Sequence, residues 1–375
     1  MTPCVIFAGG GSGGHLSPGL AIAERLQALE PRVRTRFYCS DRDIDRTMLT
    51  DGGADHQVVP AAPLSLRPAG LIRFLRGLRH GTHTAAGALR SDDATLVLAL
   101  GGFVSAPVVR AARKAGIPRM LLNLDAVPGR ANQWVARQCD EVLTALPLHA
   151  EAALPNLTGS TDFPIRRIAQ APGDAESCRK SLGMEPERRT LLVTGASQGA
   201  STLNEFMRAF VASKPSCLEG WQVLHLSGTH DKAALEQAYD AAGVQATVIQ
   251  FLEEIGLAWG AADLALSRAG ANSVAEVAAN GIPSIFVPYP WHRDLHQRFN
   301  AQGLVDAEAA CLGVDAIDPA ANMQTLGPLL EGLLSDAEAR DAMQARLGQV
   351  GRKDGASEIA ALIHARVFGG GRQTT

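Results

Sequence analysis

Short apolar runs closed by glycine or proline alternate with helical patterns along this chain, and that alternation admits few folds. The runs are Val5–Ala8, Arg36–Cys39, Leu96–Leu100 and Met120–Leu124, then Leu191–Thr194, Val223–Leu226, Thr247–Phe251, Leu264–Leu266 and Ser284–Val287. Such runs between helices point to parallel sheets covered on both faces. Between the two groups lies Pro155–Asp174, rich in Pro, Gly, Ser and Thr, which reads as an interdomain linker. Each group opens on a strand followed by a Gly-rich turn into a helix. The expected fold is therefore α/β, with two Rossmann-like doubly wound domains facing across a cleft. At 375 residues the chain suits two cores, over residues 1–160 and 161–375, with a last helix able to pack back on the first domain.

Composition excludes more than it assigns. Charged residues make up 19% and apolar ones 46%, and a net charge of -3 gives no electrostatic reason to expect nucleic acid. The six cysteines are scattered without C-x-x-C pairs, which argues against a zinc site or a disulfide scaffold and fits a reducing compartment. The N-terminal residues lack a signal-peptide pattern, and no apolar run approaches the roughly 20 residues that span a bilayer. Membrane contact, if made, is expected to be peripheral.

The first turn reads Gly9-Gly10-Gly11-Ser12-Gly13-Gly14-His15-Leu16-Ser17-Pro18-Gly19, between a strand and a helical pattern. Such loops present backbone N–H groups at a helix N-terminus, which suits a phosphate or diphosphate. Gly9, Gly11 and Gly14 also satisfy G-x-G-x-x-G, so a dinucleotide site is a direct rival. His15 favours another use, because an ionisable imidazole at the mouth of such a loop reads as a general base; the alternative is a histidine that merely caps or hydrogen-bonds the loop.

A second such turn, Thr194-Gly195-Ala196-Ser197-Gln198-Gly199-Ala200, follows a strand and suits a diphosphate; the alternative is an ordinary tight turn. Further on, Ser267–Glu276 leads from a strand end into a helix, where Glu276 is placed to accept both hydroxyls of a ribose. By itself it reads as a solvated helix glutamate; together with the second Gly-rich turn it reads as a nucleotide site. The loop Pro288–Asn300 gathers polar groups of the kind that recognise sugars; the alternative is a surface loop with an incidental cluster.

The D-x-D matches at Asp41–Asp45 follow the second strand, away from the expected nucleotide half, and read as helix caps rather than metal ligands. Leu64–His83 holds Arg67, Arg73, Arg76 and Arg79 among leucines and contains no acidic residue. That pattern fits an interfacial helix on anionic lipid, presenting Leu71, Arg73, Phe74, Arg76, Leu78 and Arg79, or else a core helix with solvated arginines.

Taken in order, Gly9–Gly19, Gly101-Gly102-Phe103-Val104-Ser105, Ala126-Val127-Pro128-Gly129 with Asn132, Ser197–Ala200 with Asn204, Arg268–Glu276 and His292–Asn300 resemble the MurG family. These are UDP-N-acetylglucosamine-dependent transferases that convert lipid I to lipid II in peptidoglycan synthesis. The resemblance runs over nearly the whole chain. It implies the GT-B fold, an N-terminal acceptor and membrane-associating domain, a C-terminal donor domain, and inversion at the sugar C1 with neither cofactor nor bound metal.

Carried over by motif, His15 is the base, and Ser12, Gly13, Gly14, Arg166, Ser197, Gln198, Gly199, Phe251, Leu252, Glu276, His296 and Gln297 meet the donor. Gly11, Ser12, Phe103 and Asp125 meet the acceptor. The implied partners are UDP-GlcNAc, lipid I and the anionic cytoplasmic face of the inner membrane. The chain departs from the family's His-Glu-Gln-Asn at Leu122-Asn123-Leu124-Asp125, on the acceptor side. A related transferase acting on another lipid, or a nucleotide-binding protein without turnover, are the alternatives.

Overall fold

The computed structural model describes residues 2–369 apart from 12–13, 64–67, 196–200, 230, 292–294 and 351–353, and apart from the side chains of Pro68, Ala69 and Leu71. The chain divides into two compact units, Met1–Arg166 with Asp354–Thr375, and Arg167–Lys353.

In the first unit the strands are β1 (Cys4–Ala8), β2 (Arg34–Cys39), β3 (His56–Val58), β4 (Ala94–Ala99), β5 (Arg119–Asn123), β6 (Glu141–Thr144) and β7 (Gly159–Ser160). Helices α1 (Leu16–Leu29), α2 (Asp43–Asp51), α3 (Pro68–Ser91), α4 (Ser105–Ala115) and α5 (Arg130–Ala136) alternate with them. The second unit carries α6 (Ala175–Ser181), β8 (Arg189–Thr194), α7 (Ser201–Ser213), β9 (Trp221–Leu226), α8 (Lys232–Ala241), β10 (Ala246–Ile249) and α9 (Ile255–Ala261). It continues through β11 (Leu264–Ser267), α10 (Ala271–Asn280), β12 (Ser284–Phe286), α11 (His296–Asp306), β13 (Cys311–Leu312), α12 (Pro319–Thr325), α13 (Gly327–Ser335) and α14 (Ala337–Val350). A last helix, α15 (Gly355–Phe368), belongs to the first unit and packs on α1.

The first sheet runs β3-β2-β1-β4-β5-β6-β7 and the second β10-β9-β8-β11-β12-β13. Both are parallel, as the strand runs required. Each reverses direction beside its first strand, between β1 and β4 and between β8 and β11. Loops leaving the carboxyl ends of those pairs diverge and open a crevice, which is where doubly wound sheets hold ligands. The Gly9–Gly14 and Gly101–Phe103 turns leave β1 and β4, while Gly195 and Arg268–Gly270 leave β8 and β11.

The segment expected to be a linker is in part structured. Gly159–Ser160 pairs with β6, Thr161 and Phe163 are buried, and Arg167–Ala169 forms a short 3-10 helix. Thr161 donates to Glu358 of α15 at 2.6 Å, so these residues are fixed to the first unit. The strand expected over Thr247–Phe251 ends at Ile249 instead, leaving Phe251 70% exposed.

Candidate functional site

At the first crevice three glycines let two loops touch. Gly10, Gly11 and Gly102 have φ of 135°, 112° and 75°, values that residues with a Cβ rarely adopt. A Cβ on Gly102 would stand 2.1 Å from the Gly10 carbonyl oxygen, and one on Gly11 2.6 Å from Phe103 Cε1. The first Gly-rich turn therefore lies directly against the ring of Phe103.

His15 is the residue just before α1, with φ −82° and ψ −24°, and its side chain forms no capping bond. A Cβ on Gly101 would meet His15 Cδ2 at 2.9 Å, Nε2 at 3.1 Å and Asn132 Oδ1 at 3.0 Å. The imidazole and the Asn132 amide thus converge over Gly101. Asn132 Nδ2 donates to Asn123 Oδ1 at 3.1 Å, and Asn123 Nδ2 donates to Asp125 O at 2.7 Å and Thr144 Oγ1 at 3.1 Å. Both asparagines are buried. Gly11, His15, Phe103 and, through this chain of amides, Asp125 are therefore assembled in one unit. Ser12 and Gly13 lie outside the described residues, and Gly14 is half-buried.

The capping expectation for the D-x-D stretch is corrected. The residue preceding α2 is Arg42, whose side chain caps nothing. Asp43 pairs with Arg46 at the surface, while Asp45 is fully buried and accepts from Gly11 N at 2.7 Å and Ser40 Oγ at 2.6 Å. Arg166 closes the first unit, paired with Glu24 of α1 at 3.2 Å.

Leu78, expected at a lipid surface, is instead 8% exposed and sits in the core, with Phe74 packed against the same cluster. The residues α3 turns outward include Ile72, Arg73, Leu75, Arg76 and Arg79, with His80 and His83 beyond them, while the Leu71 side chain lies outside the described set. Ile72 and Leu75 belong to the apolar pattern read in the sequence but not to the face expected at the lipid, although their spacing with Arg76 and Arg79 places all four along one helical face.

In the second unit, Ser197, Gln198 and Gly199 lie outside the described residues. Just beyond them, α7 is tied down by Asn204, whose Nδ2 donates to Ser227 O at 3.0 Å. Its Oδ1 then accepts from His225 Nε2 at 3.0 Å, and His225 Nδ1 meets the Tyr239 hydroxyl at 2.8 Å. Burial holds the His225 pKa down at about 3, so the imidazole is neutral and serves as a spacer.

Arg268, at the end of β11, is buried against Asp315 at 2.8 Å and donates to Thr202 Oγ1 at 2.6 Å and to the carbonyls of Val287 and Pro288. Burial alone would raise the Asp315 carboxyl, but bonds from Thr202, Asn322 and Ile317 N–H, together with Arg268, hold it below the ordinary value. This pair joins α7, β11 and the turn after β13. Sequence reasoning quoted Arg268 and missed Asp315.

Glu276 lies on the second turn of α10, where Trp259 Nε1 donates to its Oε2 at 2.9 Å. Its side chain is half-buried at the surface yet hemmed in by protein, and desolvation outweighs the indole bond, raising its pKa to about 7. His296 and Gln297 open α11, and Gln297 Oε1 accepts from Tyr289 N at 2.9 Å. Leu252 packs against the sheet while Phe251 stands out from it.

Comparison with known proteins decides what these two crevices belong to. Residues 5–144 match the glycosyltransferase family 28 N-terminal domain and residues 190–359 the family 28 C-terminal domain. The chain is 36% identical over 96% of its length to a protein of Nocardioides sp. (strain ATCC BAA-499 / JS614), 97% of which is covered. That relative is named UDP-N-acetylglucosamine--N-acetylmuramyl-(pentapeptide) pyrophosphoryl-undecaprenol N-acetylglucosamine transferase. The chain belongs to glycosyltransferase family 28, the MurG family.

A MurG-family relative of Frankia casuarinae bearing the same name is 34% identical, with 97% of this chain and 96% of that protein covered. The crystal structure of Acinetobacter baumannii MurG superposes with a TM-score of 0.72 at 25% identity, covering 96% of this chain and 99% of that one. The glycotransferase of kitacinnamycin, at 17% identity and a TM-score of 0.68, shares the fold. As a MurG-family member the chain is a glycosyltransferase of the GT-B fold.

Proposed function

We propose that this enzyme transfers N-acetylglucosamine from UDP-GlcNAc to the C4 hydroxyl of MurNAc in undecaprenyl-pyrophosphoryl-MurNAc-pentapeptide, converting lipid I to lipid II with inversion at C1. The observation that carries this reading is 34 to 36% identity over nearly the full length to relatives named for that reaction. The first domain receives the acceptor at the Gly9–Gly14 turn and Phe103, and the second receives the donor.

In this mechanism His15 takes the proton from the attacking hydroxyl. Its ring stands beside the Asn132 amide over Gly101, which suits a base held in one orientation. The donor ribose binds Glu276, and the diphosphate meets the Ser197–Gly199 turn and Arg166, whose charge and N–H groups stabilise departing UDP. Arg166 must exchange Glu24 for phosphate to do so. Phe251 and Leu252 flank the uracil, His296 and Gln297 the sugar. No helix is long and apolar enough to cross a membrane among the described residues. The outward face of α3 supplies a peripheral contact with the anionic cytoplasmic surface of the inner membrane.

The test is UDP release with and without lipid I, for the native chain and for His15→Ala. Release that depends on lipid I, and falls by about 10²- to 10⁴-fold in the variant, is expected for loss of a general base. Release with another polyprenyl-linked sugar but not with lipid I would reassign the acceptor, a result for which Asp125 is the residue to examine first.

A further inference from the structure

The D-x-D stretch leaves one buried carboxylate that no step above employs. Asp45 Oδ2 accepts from the Gly11 N–H at 2.7 Å and from the Ser40 hydroxyl at 2.6 Å. On the other flank of the same residue, the Arg42 guanidinium donates to the Gly11 carbonyl and lies 5.5 Å over the centre of the Phe103 ring. Gly11 N–H and C=O belong to successive peptides, so holding both fixes the rotations between them.

The fit leaves no slack. A Cβ on Gly10 would stand 2.4 Å from Asp45 Oδ2, and one on Gly11 2.6 Å from Phe103 Cε1. Groups of opposite charge, three residues apart at the start of α2, therefore grip one glycine of the acceptor-side turn. Bonds with an ionised partner are the stronger kind, and a carboxylate against one peptide with a guanidinium against the next resists rotation in either direction.

We infer that Asp45 and Arg42 are positioning residues for the transfer reaction: they clamp Gly11 against Phe103, in the same crevice where His15 stands over Gly101. This rests on the function proposed above. Neither residue need touch the reactants. Their effect arises because a displacement of about 1 Å in a reacting group can cost on the order of 10²-fold in rate.

The experiment is steady-state kinetics on Asp45→Ala, Asp45→Asn and Arg42→Ala, with UDP-GlcNAc and lipid I varied separately, alongside hydrogen exchange of the peptide spanning Gly11. Asp45→Ala should lower kcat about 10- to 100-fold and leave the KM for UDP-GlcNAc within about twofold. Asp45→Asn should recover part of the loss, since its carbonyl oxygen still accepts the Gly11 N–H. Arg42 is exposed, so its removal spares the fold; kcat should fall about tenfold.

Exchange at Gly11 should quicken in Asp45→Ala. Losses shared equally by donor KM, kcat and melting temperature, without recovery in Asp45→Asn, would make Asp45 a packing residue and overturn the inference. Unchanged exchange at Gly11 would do the same. A native enzyme inactive on lipid I would defeat the assigned reaction instead, and the exchange measurement would still decide the clamp.

Discussion

At Glu276 burial bears on the ribose contact proposed for it. Its carboxyl is raised to about 7 by desolvation, against an ordinary value of 4.5, so the folded state favours the protonated form. The sign follows: its contribution to stability is full below about pH 4.5 and is lost as pH rises toward 7. A ribose needs the ionised form, which accepts from both hydroxyls. UDP-GlcNAc affinity should therefore strengthen as pH rises through about 7, and binding near pH 6 should release up to about one proton. Calorimetry in buffers of differing ionisation enthalpy reads both, and Glu276→Gln should bind more weakly with no pH dependence. A flat profile in the native chain would remove Glu276 from the ribose. Side-chain type and position after a Gly-rich turn singled out Glu276 and His15 as candidates in the sequence. Asp45 and Asp315 were not, because their roles depend on partners distant along the chain, such as Gly11, 34 residues from Asp45, and Thr202, 113 from Asp315. Nothing local marks a buried carboxylate as the holder of a remote peptide.

At the scale of elements, the central strands were readable because both faces are buried and their apolar runs are unbroken. The short strands β3, β6, β7 and β13 were not, since two to four residues carry too little pattern to register even in β6, which is paired on both sides. Helix α3 shows the complementary error: its amphipathic character was evident, but which leucines face inward depends on the sheet beneath. Leu78 faces the core and Ile72 and Leu75 face out, at 52% and 53% exposure, beside Arg73, Arg76 and Arg79. Two separable outcomes are expected. Replacing the three arginines by Glu should release the enzyme from anionic vesicles, as each basic group near such a surface contributes about 1 kcal/mol, without changing the melting temperature much. Leu78→Ala should instead lower stability by about 2 to 4 kcal/mol while the folded fraction binds vesicles as before. Vesicle sedimentation beside thermal unfolding checks both; equal sedimentation after charge reversal would leave α3 an ordinary helix of the core.

Across the whole molecule, the chain's last helix belongs to the unit in which the chain begins. Helix α15 lays Ala356, Ile359, Ala360 and Ile363 against the first unit, chiefly on α1, and all four are buried. Its start is fixed by Asp354, which accepts from Ser357 N at 3.1 Å and pairs with Arg25 of α1 at 3.0 Å. Gly355 lies so close to the strand β7 exit that a Cβ there would stand 1.9 Å from the Asp162 carbonyl oxygen. Burying an isoleucine stabilises by about 1.5 to 3 kcal/mol, so removing the segment from Asp354 onward should cost the first unit several kcal/mol. The second unit loses nothing by that truncation, because its core is built from residues 167–353 alone. Calorimetry of the truncated chain should therefore show one transition moved down by several degrees, with UDP still raising the melting of the other. Gly355→Ala should act in the same direction through backbone displacement and spare UDP binding. If truncation instead lowered both transitions together, or abolished UDP binding with the first unit still folded, the second unit would depend on α15 for its own stability, and the division of the chain at Arg166 would not describe how it unfolds.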